Sequence, residues 1–274
     1  MEDEPSTSTS LASTSNYTSD IYEYLRGAEL LFLSDKPFTE KQNEITLKMR
    51  SILVDWLVEV SEEYKLFPDT LHLSIALLDR FLLAELVPRK SLQLVGISCV
   101  LIAAKFEEIY APDVVDLCYI TDNTYSKIDI INMERRILQQ LRFNIHQPTA
   151  CTFVRHYASL DACSTRNEFL SLCICEIALL DWSISGCAAS MIAATSILLS
   201  SYILCERKLH RLLQIEKSYA PAHLKTCALN IRTIVLAHIA PKSAVMEKYS
   251  QPKFGHVAQE LSRFSWEFPD ELWT

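Results

Sequence analysis

Glu107 and Glu108 are the neighbouring carboxylates that first suggest acid–base chemistry in this sequence. On a helix, adjacent residues diverge by about 100°. The two therefore cannot converge on one substrate atom as a paired acid and base. The seven histidines are dispersed, and no HExxH metal motif occurs. Nine cysteines are scattered singly, the nearest two being Cys173 and Cys175, without a CxxC pair at zinc spacing. They read as reduced, mostly buried small hydrophobes. There is no glycine-rich phosphate loop and no nucleophile elbow. The expectation is a chain with no catalytic residues, no metal ligands and no cofactor.

A different chemistry is written in the run MRSILVDWLVEV, from Met49 to Val60. At helical spacing Met49, Ile52, Leu53, Trp56 and Glu59 share an arc of about 120°, with Val54, Leu57 and Val58 mostly opposite. A helix apolar on two sides suits a central helix wrapped by neighbours. It equally suits one face in the core and one exposed apolar groove edged by acid.

The elements that would position these residues are helical. Glycine is scarce, with four residues, no stretch alternates like a strand, and Leu, Ile and Ala recur at three- and four-residue intervals. Residues 1–16, rich in Ser and Thr, are expected to be disordered. Residues 17–42 form an N-terminal helix and linker, with Tyr17, Ile21, Tyr24 and Leu25 on one side. Helices are then predicted near 43–64, 70–84, 91–108, 112–118 and 126–141, broken at Pro68, Pro88, Pro112 and the polar run 121–124. The rhythm repeats near 149–159, 166–181, 186–205, 220–238 and 242–249. Ile75-Ala76-Leu77-Leu78-Asp79 recurs letter for letter as Ile177-Ala178-Leu179-Leu180-Asp181, which favours duplication. The domains are thus read as 43–146 and 147–250, with a C-terminal tail over 251–274.

With 49% hydrophobic residues the chain can bury two such cores. The formal net charge of −8 withholds the basic field that nucleic-acid binding usually needs, so a protein partner is expected instead. The acidic opening MEDEPSTSTS is unlike a secretory signal. The uncharged stretch Trp182–Cys205 is long enough for a membrane span, but its serines and lack of basic flanks favour a buried helix.

Here the motifs become recognisable. MRSILVDWLVEV, LHLSIALLDRFL, LQLVG, AAKFEEIYAPDV, YITDNTYSK and MERRIL resemble the cyclin box in order and spacing across residues 17–146. A weaker resemblance continues through AVMEKYSQPKFGHVA, and KFEEIY, VSEEYKL and YTSDIYEYLR are most similar to A-type cyclins. The resemblance implies an all-α fold: two tandem five-helix cyclin boxes with an N-terminal helix. It implies a non-catalytic subunit that activates a cyclin-dependent kinase, resident in nucleus and cytoplasm.

It also implies two surfaces. Lys105 and Glu134 match family positions that contact the kinase beside its regulatory helix. Phe106, Glu107, Glu108, Leu138, Phe143 and Ile145 match other kinase-facing positions, and Tyr17, Ile21 and Tyr24 match the helix that extends the interface. Without the resemblance, Lys105 reads as a lysine snorkelling from a buried helix end, and Glu134 as a partner of Lys127 or of solvent. Met49, Ile52, Leu53, Trp56, Glu59 and Gln93 match a docking groove for Arg-x-Leu segments of substrates and inhibitors. Asp55 and Arg89 match a structural salt bridge. One departure is Ile184-Ser185-Gly186-Cys187-Ala188, where the family has Leu-Pro-Ser leading into the second Ala-rich helix.

Overall fold

In the computed structural model, which describes residues 9–34, 36–161, 163–205, 219–239 and 243–268, helices start where short side chains can satisfy the first free backbone N–H groups. Helix α1 spans Thr9–Glu29. The first repeat holds α2 (Leu47–Glu63), α3 (Pro68–Ala84), α4 (Leu92–Glu107), α5 (Val114–Ile120) and α6 (Lys127–Gln140). Thr46 caps α2, Pro68 opens α3, and a reciprocal Ser126–Asp129 capping box opens α6. The second repeat holds α7 (Ala150–Asp161), α8 (Thr165–Leu179), α9 (Ala189–Ile203), α10 (Pro221–Ile239) and α11 (Ala244–Tyr249), followed by α12 (Ala258–Arg263). Among the described residues there is no strand.

In each repeat the Ala-rich helix is the hub. α4 packs on α2, α3 and α6, and α9 packs on α7, α8 and α10. Gly96 lets α2 approach α4 closely, since a Cβ there would sit 3.0 Å from Leu53 Cδ1. The serines that dilute the hydrophobicity of α9 form a polar ladder to α8. Asn167 Nδ2 donates to Ser201 Oγ at 2.8 Å, Ser171 and Ser200 share a hydroxyl hydrogen bond at 2.6 Å, and Cys175 donates to Ser196 at 3.3 Å. This satisfies buried hydroxyls that bare packing would leave unpaired. The membrane reading of 182–205 fails on length, because α9 has 15 residues, and no helix among the described residues is long and apolar enough to cross a membrane.

Two polar joints hold the repeats together, and a third ties α1 to the second repeat. Arg50, on α2, grips Asp79, on α3, through two hydrogen bonds of 2.6 Å and donates to the Leu179 carbonyl of the second repeat at 2.9 Å. Lys248, on α11, meets Glu176 at 2.8 Å in a fully buried pair that also accepts from the Tyr249 hydroxyl at 2.7 Å. Glu62, on α2, approaches the same lysine at 3.8 Å. Finally, α9 has no side-chain cap of its own at Ala188. Buried Glu29, at the end of α1, accepts from Ser190 N at 2.9 Å and from Ser190 Oγ at 2.6 Å. The carboxylate thus sits at the N-terminus of α9, where the helix dipole favours it.

Two expectations need correction. The helix begins at Thr9, well before Tyr17, so residues 9–16 are helical rather than disordered, while 1–8 lie outside the described residues. Once the packed part of a helix exists, adding residues to its end costs little, even for a polar segment. The proposed Asp55–Arg89 salt bridge does not form. Asp55 Oδ1 accepts from Ala244 N at 2.9 Å, and the Arg89 backbone N–H donates to Glu44 at 2.9 Å. The strut from α2 is made by Arg50, whose side chain is 3% exposed, and Asp79.

His72 is buried between the repeats, and burial, with the nearby Lys248 and Arg155 charges, pushes it down to about 3. An unfolded histidine binds a proton below about pH 6.5, so the unfolded chain holds one more proton throughout the window between those values. Stability is therefore lost as pH falls through that window, by about 1.4 kcal/mol per unit for this group. Urea unfolding at pH 7 and about pH 5 is expected to show a loss about 2 kcal/mol smaller in His72→Leu than in the natural chain. Equal losses would mean that His72 is not held neutral.

Candidate protein-binding surfaces

Packing of α4 on α6 brings Lys105, in the last turn of one, against Glu134, in the middle of the other. Lys105 Nζ donates to Glu134 Oε1 at 2.6 Å, with the lysine 50% and the glutamate 13% exposed. So open a pair adds no more than about 1 kcal/mol to the fold. Each member still has hydrogen-bonding capacity for another molecule.

Directly after Lys105, and in the turn after α6, large apolar side chains face water. Phe106 is about half exposed and its ring lies 6.3 Å from His146. Arg142 and Phe143 both adopt positive φ, at 53° and 56°, in the turn after α6, a conformation that non-glycine residues seldom take. The turn leaves the Phe143 ring 66% exposed. Leu138 and Ile145 are half-buried and tie the patch to the core. Ile109 and Tyr110, not singled out in the sequence, are more exposed than any of these, and their place directly after Lys105–Glu108 was the available signal. Glu107 is exposed, its carboxyl raised by partial burial and by Asp69. Glu108 serves the fold itself, because its Oε1 accepts from Phe67 N at 2.7 Å and Thr70 Oγ1 at 2.6 Å, closing the start of α3.

The N-terminal helix presents two faces. Tyr22 stacks on His156 of α7 at 4.7 Å, Leu25 packs against the core, and Arg26 bonds Ser190, Tyr219 and Glu29. Tyr17, Ile21 and Tyr24 are exposed on the opposite side. Leu25, expected with them, sits at the edge of the inward face.

The second surface runs along α2. Val54, Leu57 and Val58 are completely buried, whereas Ile52 and Glu59 are exposed and Met49, Trp56 and Gln93 half-buried. One side of this helix is thus core, and the other carries the exposed Ile52 and Glu59 beside the half-buried Met49 and Trp56. Leu53 departs from the expected arc in being buried: with Gly96 beneath it, it forms floor rather than wall. The Glu59 carboxyl is raised, first by desolvation and then by Asp55 and Glu247. Glu59 has no cationic partner among the described residues.

Residues 20–146 match the family described as "Cyclin, N-terminal domain", and residues 148–262 match "Cyclin, C-terminal domain". The chain belongs to the cyclin family. Membership places it among the non-catalytic regulatory subunits of protein kinases. The cyclin is similar to A-type relatives: 40% identical over 254 residues to "Cyclin-A1-4" of Oryza sativa subsp. japonica, covering 89% of this chain and 71% of that protein. It is 38% identical to "Cyclin-A1-1" of Arabidopsis thaliana and 41% identical to the "G2/mitotic-specific cyclin-A" of Hydra viridissima. These alignments cover 89% and 88% of this cyclin but 55% and 59% of those proteins. In fold it resembles a viral cyclin from Herpesvirus saimiri, with TM-score 0.69 at 24% identity over 77% of this chain and 93% of that one. A second likeness of fold, TM-score 0.56 at 13% identity, is to the CAK complex from Chaetomium thermophilum and covers 91% of this chain and 83% of that one.

Proposed function

We propose that this cyclin binds and activates a cyclin-dependent serine/threonine kinase through the surface centred on Lys105 and Glu134. The observation that carries the reading is the open 2.6 Å ion pair next to exposed Phe106, with exposed Phe143 in the turn that follows the helix of Glu134. Apolar anchors with directional charge at their side are what a tight protein interface needs. Binding favours the active arrangement of the kinase, with its Lys–Glu ion pair seated and its activation loop open, and so shifts the kinase population. The test is phosphate transfer to a histone-type substrate by the kinase with and without this chain. Activation at saturating cyclin is expected; unchanged activity overturns the reading.

The same cyclin recruits Arg-x-Leu segments of substrates and inhibitors along α2. The leucine enters between Met49, Ile52 and Trp56 over the Leu53 floor, and the arginine approaches Glu59, whose carboxyl is raised by desolvation and by Asp55 and Glu247. Trp56→Ala is expected to weaken an Arg-x-Leu peptide by at least about tenfold. Glu59→Gln should weaken that peptide more than one with alanine at the arginine position. Fluorescence anisotropy with both peptides reads the comparison, and equal losses would separate Glu59 from the arginine. By resemblance to A-type relatives, one of them named G2/mitotic-specific, the setting is S phase and mitosis, in nucleus and cytoplasm.

A further inference from the structure

Cys187 is the last residue before Ala188, the cap position of α9, and lies in the segment that departs from the family's Leu-Pro-Ser. Two consecutive turns shape this lead-in: the Ser185 N–H donates to the Trp182 carbonyl and the Cys187 N–H to that of Ile184, both at 2.9 Å. The turn at Trp182–Ile184 packs on α10. There Cys187 meets Cys227, of α10, in a thiol–thiol hydrogen bond. The two sulfurs differ in access, since Cys187 is part-exposed and Cys227 only 1% exposed. They also differ in charge. The Cys227 S–H donates to the Cys187 sulfur, which lowers Cys187 to about 7 and raises Cys227. Burial raises the thiols of Cys99, Cys151, Cys173 and Cys175 instead. Among these, only Cys187 combines an open approach with a sulfur that ionises near neutral pH, and a second thiol stands directly behind it.

We propose that Cys187 and Cys227 form a peroxide-responsive dithiol, which closes to a disulfide that pins the start of α9 to α10. The Cys187 thiolate attacks one oxygen of hydrogen peroxide, the O–O bond breaks, and hydroxide leaves to take up a proton as water. Cys187 is then a sulfenic acid. The Cys227 sulfur attacks the Cys187 sulfur, an S–S bond forms as the S–O bond breaks, and the departing hydroxide takes the Cys227 proton as a second water. Two thiols are oxidised and one peroxide is reduced. Sulfurs already in hydrogen-bond contact need approach by only an ångström or two to reach the bonded distance of about 2.05 Å. The bond forms three residues before Ser190, whose N–H and hydroxyl hold Glu29 of α1, so this chemistry acts beside the seat of the N-terminal helix.

The test treats the full chain with a small excess of hydrogen peroxide, blocks free thiols with iodoacetamide in denaturant, reduces, and labels the newly freed thiols with N-ethylmaleimide for tandem mass spectrometry. Cys187 and Cys227 should gain the second label together, in a chain that stays monomeric on a non-reducing gel, and dithiothreitol before blocking should abolish it. Cys187→Ser should remove the label from Cys227 as well. Cys227→Ala leaves the sulfenic acid without its resolving thiol, so dimedone should trap Cys187 at least about tenfold more in this variant than in the natural chain. If that buried change unfolds the chain, the natural chain and Cys187→Ser still decide the matter. Oxidation that spares Cys187, a second label on any other pair, disulfide-linked dimers through exposed Cys205 in place of the internal bond, or Cys227 still labelled in Cys187→Ser would each overturn the proposal.

Discussion

Replacing Lys105 and Glu134 together by alanine is expected to weaken kinase binding by more than about a hundredfold, or about 3 kcal/mol, while the fold stays intact. The asymmetry follows from solvent. In the free cyclin Lys105 is half exposed, so the pair contributes little to stability. Beneath a partner both charges lose water and must be matched by that partner's backbone, and directional charge-assisted hydrogen bonds then carry much of the specificity. The single variants separate the roles. Lys105→Ala should be at least as damaging as the double change, because it leaves Glu134 covered and uncompensated. Calorimetric titration with the kinase, beside far-UV circular dichroism of each variant, reads both quantities. A double variant that binds as the natural chain does would leave a scaffold without kinase activation as the better reading.

The largest loss of stability is expected from Lys248→Met. Lys248 is 2% and Glu176 0% exposed, and the carboxylate also accepts from Tyr249. Removing the lysine strands a carboxylate in a medium that solvates it poorly, at a cost of about 3–5 kcal/mol. For a chain of this size that corresponds to roughly 10 °C in Tm. The companion change Glu176→Leu in the same chain should recover much of it, since an apolar pair of similar volume avoids the desolvation that the ions suffer. Tyr249 then lacks its acceptor, so recovery stays incomplete. Thermal unfolding of the single and double variants gives the comparison. A double variant less stable than the single one would show that the unpaired Glu176 carboxylate is not what costs the single variant its stability.

Helix positions were legible because their signals are local. Thr46, Pro68, Ser126 and Ser243 stand where they cap or open helices, and the interval between apolar residues is the helical one. Lys105 and Glu134 were legible only through resemblance, since nothing in 29 residues of separation says that α4 and α6 cross there. The Asp55–Arg89 error has the same root. Both are charged and near α2, but which arginine meets which aspartate depends on how helices approach, and Arg50, on the buried side of α2, wins the contact with Asp79. Leu53 shares the periodicity of the groove and differs only because Gly96, forty-odd residues on, lets α4 come close. Glu29 gave no sign of being the missing cap of α9, because that partnership spans 161 residues. The ordered segment around Trp266, buried with its Nε1 donating to the Leu261 carbonyl at 3.0 Å, likewise depends on a surface that only the folded second repeat provides.

The most direct measurement is amide hydrogen exchange on this cyclin, alone and saturated with a cyclin-dependent kinase. Slowed exchange should appear at the end of α4 from Lys105 to Tyr110, along α6 around Glu134, in the turn at Phe143 and on the outer face of α1, with α2 from Met49 to Glu59 unchanged. Protection confined to α2 or to the second repeat, with Lys105 and Glu134 exchanging as in the free chain, would contradict the placement of the kinase.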